Sequence, residues 1–318
     1  MKEDKPSFTA VFVALTVIML GQIAFPLVPP GSVPLQMALL EAVGLPWDEY
    51  LFLLLLRSPL GPLVSRLVIG LADMVCPKSL KLVGFRKCFI QQQVQQFLQE
   101  HATQNPQVLI LAAGYDTLSL RLAKQYPQVP FWEIDHPATG NFKNKIWTNQ
   151  DSNNTDTKGP LRILGTKPDN LHHATVDLTI HKSLAATLGD NNKKPNYNIA
   201  SPTVVIVEGL SMYLTKEQIQ NLLEDISHAV GPQSIVTFDM LATKYDDKDN
   251  QPYPDCGFFL SPLILLYLKL KSEPWLLGLD AKILKEDILG GNNSKWTLHA
   301  GVESYGPANL AAIRLRDS

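Results

Sequence analysis

Residues 108–121 read VLILAAGYDTLSLR, and this stretch predicts the fold. Its first five residues, Val108–Ala112, form a continuous apolar run, which is typical of a parallel strand buried on both faces. Gly114 then permits a tight turn, and Thr117–Gln125 has the pattern of a helix. A buried strand, a glycine turn and a helix together indicate the first unit of an open α/β sheet.

The same alternation continues toward the C-terminus. Further strands are predicted at Val129–Asp135, Ala174–Leu178, Thr203–Glu208 and Ser234–Met240, with helices near Gly140–Trp147 and at Lys216–Val230. A closing strand pair is predicted at Trp296–Ala300 and Leu310–Leu315. The fold class is therefore α/β, with a doubly wound, mainly parallel sheet and helices on both faces.

Two apolar regions lie outside this alternation. Residues 1–80 are predicted to form an apolar helical N-terminal cap or a membrane-contacting segment, and residues 81–318 the α/β domain. Within that domain, residues 241–295 form an insertion after the fifth strand. Both regions are expected to cover the ends of the strands.

Composition excludes several classes of protein. Of the 318 residues, 18% are charged, and 28 Lys and Arg against 30 Asp and Glu give a net charge of −2. Without a basic excess, a dedicated nucleic-acid binder is excluded. Cys76, Cys88 and Cys256 lie far apart, which argues against a disulfide framework or a metal centre and fits the reducing cytoplasm.

The apolar segment near the N-terminus has three interpretations. From Pro6 to Leu40 there is no charged residue or histidine, and residues 8–28 are long enough to span a bilayer. Glu3 and Asp4 argue against a signal peptide. A membrane contact through residues 8–28 and a helix buried inside the protein both stay open, although glycine and prolines shorten the helix.

A second apolar stretch extends from Leu51 to Ala72. Arg57 and Arg66 lie within it, so it is a poor candidate for a membrane span. A buried or interfacial helical hairpin suits this stretch better.

Polar side chains and glycines follow each of the first four strands, where an open parallel sheet binds ligands. Asp135 has two carboxylate oxygens that match the two hydroxyls of a ribose. The dinucleotide pattern G-x-G-x-x-G is absent, which argues against a pyrophosphate at this turn. A nucleoside without a pyrophosphate is therefore expected, and S-adenosylmethionine is the commonest such cofactor. The candidate residues at these ends are Gly114, Asp116, Asp135, Asp177, Leu178, Glu208 and Tyr213.

Four segments at the right spacing resemble the leucine carboxyl methyltransferase family, a branch of the class I S-adenosylmethionine-dependent methyltransferases. LILAAGYDTLSLRL is similar to its L-G-A-G-x-D-T-x-x-x-R-L segment, and FWEIDHPAT, followed by Lys143, to its F-E-x-D-H-P-x-T-x-x-K segment. IVEGLSMYLTKEQIQNLL and the helix FRKCFIQQQVQQFL also match. The resemblance covers about residues 80–240 and implies a Rossmann-like class I methyltransferase sheet.

The resemblance also implies roles for individual residues. Arg86 would pair with the methionine carboxylate and Glu208 would lie near the methionine amino group, while Tyr213 would be the catalytic residue at the reacting centre. The other cofactor-binding residues would be Gly114 under the methionine chain, Asp116, Asp135 at the ribose, and Asp177 and Leu178 around the adenine. Ala112 departs from the family pattern, which has a glycine there.

The expected reaction is methylation of a carboxylate or hydroxyl on an apolar small molecule. A carboxylate acceptor needs no general base, and no convincing Asp/His pair is visible in the sequence. Two alternatives stay open: a methyltransferase that acts on the C-terminal carboxylate of a protein, and a catalytically silent, membrane-associated binding protein.

Overall fold

The computed structural model describes residues 8–23, 27–75, 79–148, 160–178, 180, 183–189, 197–211, 214–241, 295–305 and 308–315. The helices in these ranges are α1 (Phe8–Ile23), α2 (Ser32–Val43), α3 (Trp47–Arg57), α4 (Gly61–Val75), α5 (Ser79–Glu100), α6 (Leu118–Gln125), α7 (Pro137–Thr148), α8 (Pro160–Leu164), α9 (Ser183–Gly189) and α10 (Lys216–Ala229). The strands are β1 (Gln107–Leu111), β2 (Phe131–Asp135), β3 (Leu171–Thr175), β4 (Thr203–Val207), β5 (Ile235–Leu241), β6 (Trp296–Tyr305) and β7 (Ala308–Leu315).

The strands form one sheet in the order β3-β2-β1-β4-β5-β7-β6. Strands β1 to β5 run parallel, and β7 and β6 pair antiparallel at one edge. The predicted α/β class, the doubly wound sheet and the closing strand pair are therefore confirmed. The chain reverses its direction of winding between β1 and β4, and this switch point is where open α/β sheets bind ligands.

The apolar run of β1 is buried because both faces of the sheet are covered. Val108 and Ile110 belong to the core that includes the N-terminal helices and α5, whereas Leu109 and Leu111 belong to the core on the other face, beneath α10. Alternate side chains of a strand point to opposite faces, so a strand covered on both sides needs no polar positions.

The prediction for the third strand was wrong by three residues. It was placed at Ala174–Leu178, but the strand is Leu171–Thr175. The strand contains two histidines, and both have partners inside the fold. The ring of His172 stacks on Trp132 with the ring centroids 4.3 Å apart, and His173 pairs with a buried glutamate on β2.

The N-terminal segment forms α1, which is buried inside the protein. Val17, Ile18 and Leu20 are at most 3% exposed and belong to the same core as α5. This placement agrees with the buried-helix interpretation. Among the helices in the described ranges, no single one is long and apolar enough to cross a membrane. Helices α3 and α4 meet those criteria only as a pair, and the pair is bent by 115°.

Helices α3 and α4 form the hairpin expected for the second apolar stretch. Leu53, Leu56 and Ile69 point into the core, while other leucines of the hairpin are exposed. Nearly all of the insertion predicted at residues 241–295 lies outside the described residues, which resume at Lys295.

Candidate active site

A buried cluster of charges lies where β4 and β5 end. Helix α5 places Arg86 there, with its Nε 2.8 Å from Glu208 Oε1 and its Nη1 2.6 Å from Asp239 Oδ2. Burial lowers the pKa of Arg86, but the neighbouring Asp239 and Glu208 outweigh burial and raise it above its usual range. The guanidinium is therefore a fixed cation.

Gly209 leaves space beside this guanidinium. Its φ of 64° is in the left-handed region, and its amide donates to Asp239 Oδ1 at 2.7 Å. A Cβ added at this position would lie 3.9 Å from both terminal nitrogens of Arg86. Glycine therefore satisfies the turn and keeps one side of Arg86 open.

Lys87, the next residue of α5, joins this cluster to the loop after β1. Its Nζ lies 2.8 Å from Glu208 Oε1 and 2.9 Å from Asp116 Oδ2. Burial lowers the pKa of Lys87, and the carboxylates of Asp116 and Glu208 outweigh this and raise it overall. With Arg86 and Asp239 included, the cluster joins two cations to three carboxylates, and Arg121 and Lys143 add positive charge near Asp116.

The loop after β1 is held by hydrogen bonds to the carboxylates of Asp116 and Asp135. Asp116 Oδ1 accepts hydrogen bonds from the amides of Thr117 and Leu118, at 2.6 and 3.2 Å, where α6 begins. Gly114, with a φ of 52°, donates its amide to Asp135 Oδ2 at 2.7 Å. This hydrogen bond connects the end of β1 to the end of β2.

Asp135 lies at the rim of an open cavity of about 600 Å³ beyond the ends of β2 and β3. Its Oδ1 accepts a 2.7 Å hydrogen bond from the amide of His136. Burial raises the pKa of Asp135 to about 6, although the amides of Gly114 and His136 act in the opposite direction. The carboxylate is therefore ionised at neutral pH and can accept further hydrogen bonds from the cavity. Ala113, Asn144 and Thr175 line the same cavity.

One wall of the cavity is a second buried ionic cluster around Glu133. Lys143 Nζ lies 2.7 Å from Glu133 Oε1 and also donates to the carbonyl oxygen of Asp116 at 2.8 Å. His173 Nδ1 lies 2.9 Å from Glu133 Oε2. Burial raises the pKa of Glu133, but Lys143 and His173 outweigh burial and hold that pKa well below its usual range. The cluster links β2, β3, α7 and the loop after β1.

The remaining candidate residues are Asp177, Leu178 and Tyr213. Asp177 and Leu178 follow β3 in a turn, where the amide of Ile180 donates to the carbonyl oxygen of Asp177 at 3.2 Å. Leu178 packs against the core beneath α10. Tyr213 lies outside the described residues, so its catalytic role stays a prediction.

Sequence reasoning missed Lys87 and Asp239 as members of the site. Asp239 is an acidic residue in the predicted fifth strand, and it is only 1% exposed. A buried carboxylate needs a cationic or hydrogen-bonding partner, so this residue could have been recognised as part of a site. Its partner Arg86 is 153 positions away, a separation that no local spacing indicates.

Replacing Ala112 by glycine is expected to stabilise the protein by about 1 kcal/mol. Ala112 has a φ of 53°, and for a residue with a side chain this conformation costs roughly 1–2 kcal/mol. Glycine removes this cost but adds backbone freedom to the unfolded chain. Denaturant unfolding of Ala112→Gly measures the difference. Ala113→Gly is the matched control, because Ala113 has no positive φ and should lose stability. Equal losses in both variants would contradict strain at Ala112.

Comparison with known proteins agrees with this geometry. Residues 73–227 match the model of the leucine carboxyl methyltransferase family. YktD of Bacillus subtilis, assigned as an S-adenosyl-L-methionine-dependent methyltransferase, is 31% identical over 134 residues, which are 42% of this chain and 38% of the relative. Rv3399 of Mycobacterium tuberculosis, with the same assignment, is 26% identical over 214 residues, 64% of this chain and 53% of the relative. The matches thus span about half or less of each relative's length.

Solved structures with low identity show the same fold. A DUF574 family protein from Streptomyces avermitilis superposes with a TM-score of 0.53 at 10% identity, covering 80% of this chain and 90% of that one. A protein from Thermobifida fusca, assigned as a methyltransferase, gives 0.50 at 13% identity, covering 80% and 88%. The predicted resemblance is confirmed: residues 73–227 match the leucine carboxyl methyltransferase family, and the fold is that of the class I S-adenosylmethionine-dependent methyltransferases.

Proposed function

We propose that the chain binds S-adenosylmethionine and methylates a carboxylate or hydroxyl group of an apolar small molecule. The observation that supports this most strongly is the buried cluster of Arg86, Lys87, Glu208, Asp239 and Asp116 at the switch point of the sheet. Its buried cations and carboxylates offer partners of both signs to a cofactor that carries a carboxylate, an ammonium and a sulfonium group.

The residues at the carboxyl ends of β1, β2 and β4, together with Arg86, fit this cofactor. Arg86, beside the open position at Gly209, would bind the methionine carboxylate, and Glu208 would bind the ammonium group. Asp135, at the rim of the cavity, would accept hydrogen bonds from the ribose hydroxyls. Gly114 would lie beneath the methionine chain of the cofactor. Asp177 and Leu178 would lie beside the adenine.

The N-terminal helices support an apolar acceptor. A Cβ added at Gly114 would lie 3.5 Å from Cβ of Ala10, so α1 packs close to the loop after β1. Gln36 of α2 donates to the carbonyl oxygen of Tyr115 at 2.5 Å. Because α1 contains no charged residue, it offers an acceptor mainly apolar contacts.

Methyl transfer from a sulfonium requires the protein mainly to align the methyl group with the acceptor. When bound, the cofactor supplies a methyl group activated by the positive sulfonium. The chain would position the methyl group by binding the two ends of the cofactor, at Arg86 and at Asp135. Helix α1 would keep water away from the loop after β1. A carboxylate acceptor has no proton to lose, so no residue of the chain needs to act as a base, whereas a hydroxyl acceptor would release its proton to water or to a base. Tyr213 is proposed to lie near the reacting centre.

The acceptor class is tested by incubating the full chain with an extract and isotopically labelled S-adenosylmethionine, then following the label by mass spectrometry. Label in small apolar molecules, absent with Asp135→Ala, is the expected result. Label in protein C-termini would favour the protein-methylating alternative. Saturable cofactor binding without label in any fraction would contradict the proposed transfer.

Cofactor binding is expected to weaken as the pH falls through 6. The pKa of Asp135 is about 6, and protonation removes an acceptor oxygen that a ribose hydroxyl would use. The dissociation constant at pH 5 should therefore be about tenfold higher than at pH 7. Equilibrium binding across this range measures the effect. Asp135→Asn serves as the control, since it should bind weakly with no step near pH 6; an unchanged step in that variant would assign the titration to another group.

A further inference from the structure

Helices α3 and α4 present an apolar outer surface, which we name the hairpin face. In the described part of the chain, the exposed large hydrophobic side chains are concentrated here; the exceptions are Ile163, Ile180 and Ile199. The hairpin face consists of Trp47, Tyr50, Leu51, Leu54, Leu55, Leu60, Leu63, Leu67, Leu71 and Met74. A contiguous apolar surface of this kind marks an interaction site rather than ordinary solvent exposure.

The spacing of these residues makes a stripe along each helix. In α4, residues 63, 67, 71 and 74 recur every three or four positions, which places them along one side, and Leu60 directly precedes the helix. Ser65 and Ile69 point the opposite way, into the protein. Both sides of α4 are therefore apolar or small, although only one side packs against the rest of the fold.

The hairpin is fixed to the body of the protein from its inner side. Gln22 of α1 donates to the carbonyl oxygen of Leu56 at 2.6 Å and accepts from Ser65 Oγ at 2.7 Å. The outer leucines make no part of this attachment. Their exposure is thus a property of a packed hairpin and does not require it to open.

The charges within the hairpin face distinguish between possible occupants. Between Trp47 and Met74 the charged residues are Arg57 and Arg66 together with Asp48, Glu49 and Asp73, of which Glu49 is buried and Asp73 pairs with Lys81. Arg57 pairs with Glu41, but Arg66 is exposed and has no partner among the described residues. An apolar protein surface would desolvate Arg66 without a counter-charge, whereas at a bilayer its side chain can extend to lipid phosphates.

The aromatic residues agree with this assignment. Trp47 and Tyr50 are both exposed at the start of α3, and these are the two side chains that prefer the boundary between lipid tails and headgroups. We propose that the hairpin face is a peripheral membrane-binding surface that inserts its leucines among the lipids and recognises anionic headgroups through Arg66. This proposal does not depend on the proposed methyl transfer.

Co-sedimentation of the full chain with vesicles tests the proposal. Vesicles of phosphatidylcholine with phosphatidylserine should bind the protein, and phosphatidylcholine alone should bind it more weakly. The double variant Leu63→Glu/Leu67→Glu should reduce binding at least about tenfold, because it places two acids at the inserted surface. Arg66→Gln should reduce binding to the anionic vesicles about fivefold and leave binding to phosphatidylcholine unchanged.

Ile199→Glu is the matched control for the leucine variants. Ile199 is 51% exposed, compared with 65% for Leu63 and 61% for Leu67, but it lies outside the hairpin face. It should bind vesicles as the wild-type protein does. Bromine-labelled lipids should quench the fluorescence of Trp47, and Trp47→Phe should remove that quenching.

Three results would overturn the proposal. The first is a wild-type protein that sediments with neither kind of vesicle. The second is a leucine double variant that binds as well as the wild-type protein. The third is a loss of thermal stability in the double variant comparable to that of a core replacement, because it would mean that another part of the chain or a second copy covers the face.

Discussion

The variant Arg86→Leu is expected to lose about 3–5 kcal/mol of unfolding free energy and to stop binding S-adenosylmethionine. Arg86 is 5% exposed and pairs with both Asp239 and Glu208. Removing one member of a buried ionic cluster leaves its partners uncompensated in a medium that solvates charge poorly. Denaturant unfolding followed by circular dichroism measures the stability, and calorimetric titration measures the binding.

A second variant separates the structural loss from the functional loss. Arg86→Leu combined with Asp239→Leu removes one of the stranded carboxylates, so it should recover part of the stability and still bind no cofactor. Lys81→Gln is the control for removing a cation, since Lys81 pairs with Asp73 near the surface and should cost at most about 1 kcal/mol. An Arg86→Leu protein as stable as the wild type would contradict the assigned cluster.

The second large effect concerns Glu133, the buried acid on β2. Glu133→Gln is expected to reduce the free energy of unfolding by about 3–5 kcal/mol at neutral pH. The glutamate is 3% exposed and accepts hydrogen bonds from Lys143 and Ser119, while His173 pairs with its other oxygen. Glutamine keeps the shape but leaves Lys143 without its counter-charge.

The pH dependence of this loss has a definite sign. The pKa of Glu133 is lower in the folded protein than its ordinary value of 4.5, so the unfolded chain takes up the proton first as the pH falls. The stability contributed by Glu133 is therefore complete well above pH 4.5 and decreases below it. Unfolding curves of the wild type and the variant should converge under acidic conditions. Glu224→Gln, an exposed position on α10, should change stability by less than about 0.5 kcal/mol.

The apolar runs of the sequence predict much of the fold. The segment VLILA at residues 108–112 predicts a strand covered on both faces, and the structure places helical layers on both sides of β1. The third strand was misplaced because a polar residue in a sequence gives no indication of its partner. His172 and His173 look like surface residues until the ring of Trp132 and the carboxylate of Glu133 are known to face them.

Individual residues of the candidate site were predicted, but the ion pairs between them were not. Arg86, Glu208 and Asp135 follow from the family resemblance, and the structure gathers them at one edge of the sheet together with Gly114 and Asp116. The sequence could not show that Arg86 is already paired with two carboxylates of the protein. Those pairs depend on how α5 crosses the sheet, which is a tertiary property with no local pattern.

Isothermal titration of the full chain with S-adenosylmethionine at neutral pH tests the central claim most directly. We expect saturable binding at a single site, lost in Asp135→Ala and preserved in Asp169→Ala, which replaces an exposed acid away from the candidate site. Absence of binding by the wild-type protein, or equal binding by both variants, would contradict the assignment of this site to the cofactor.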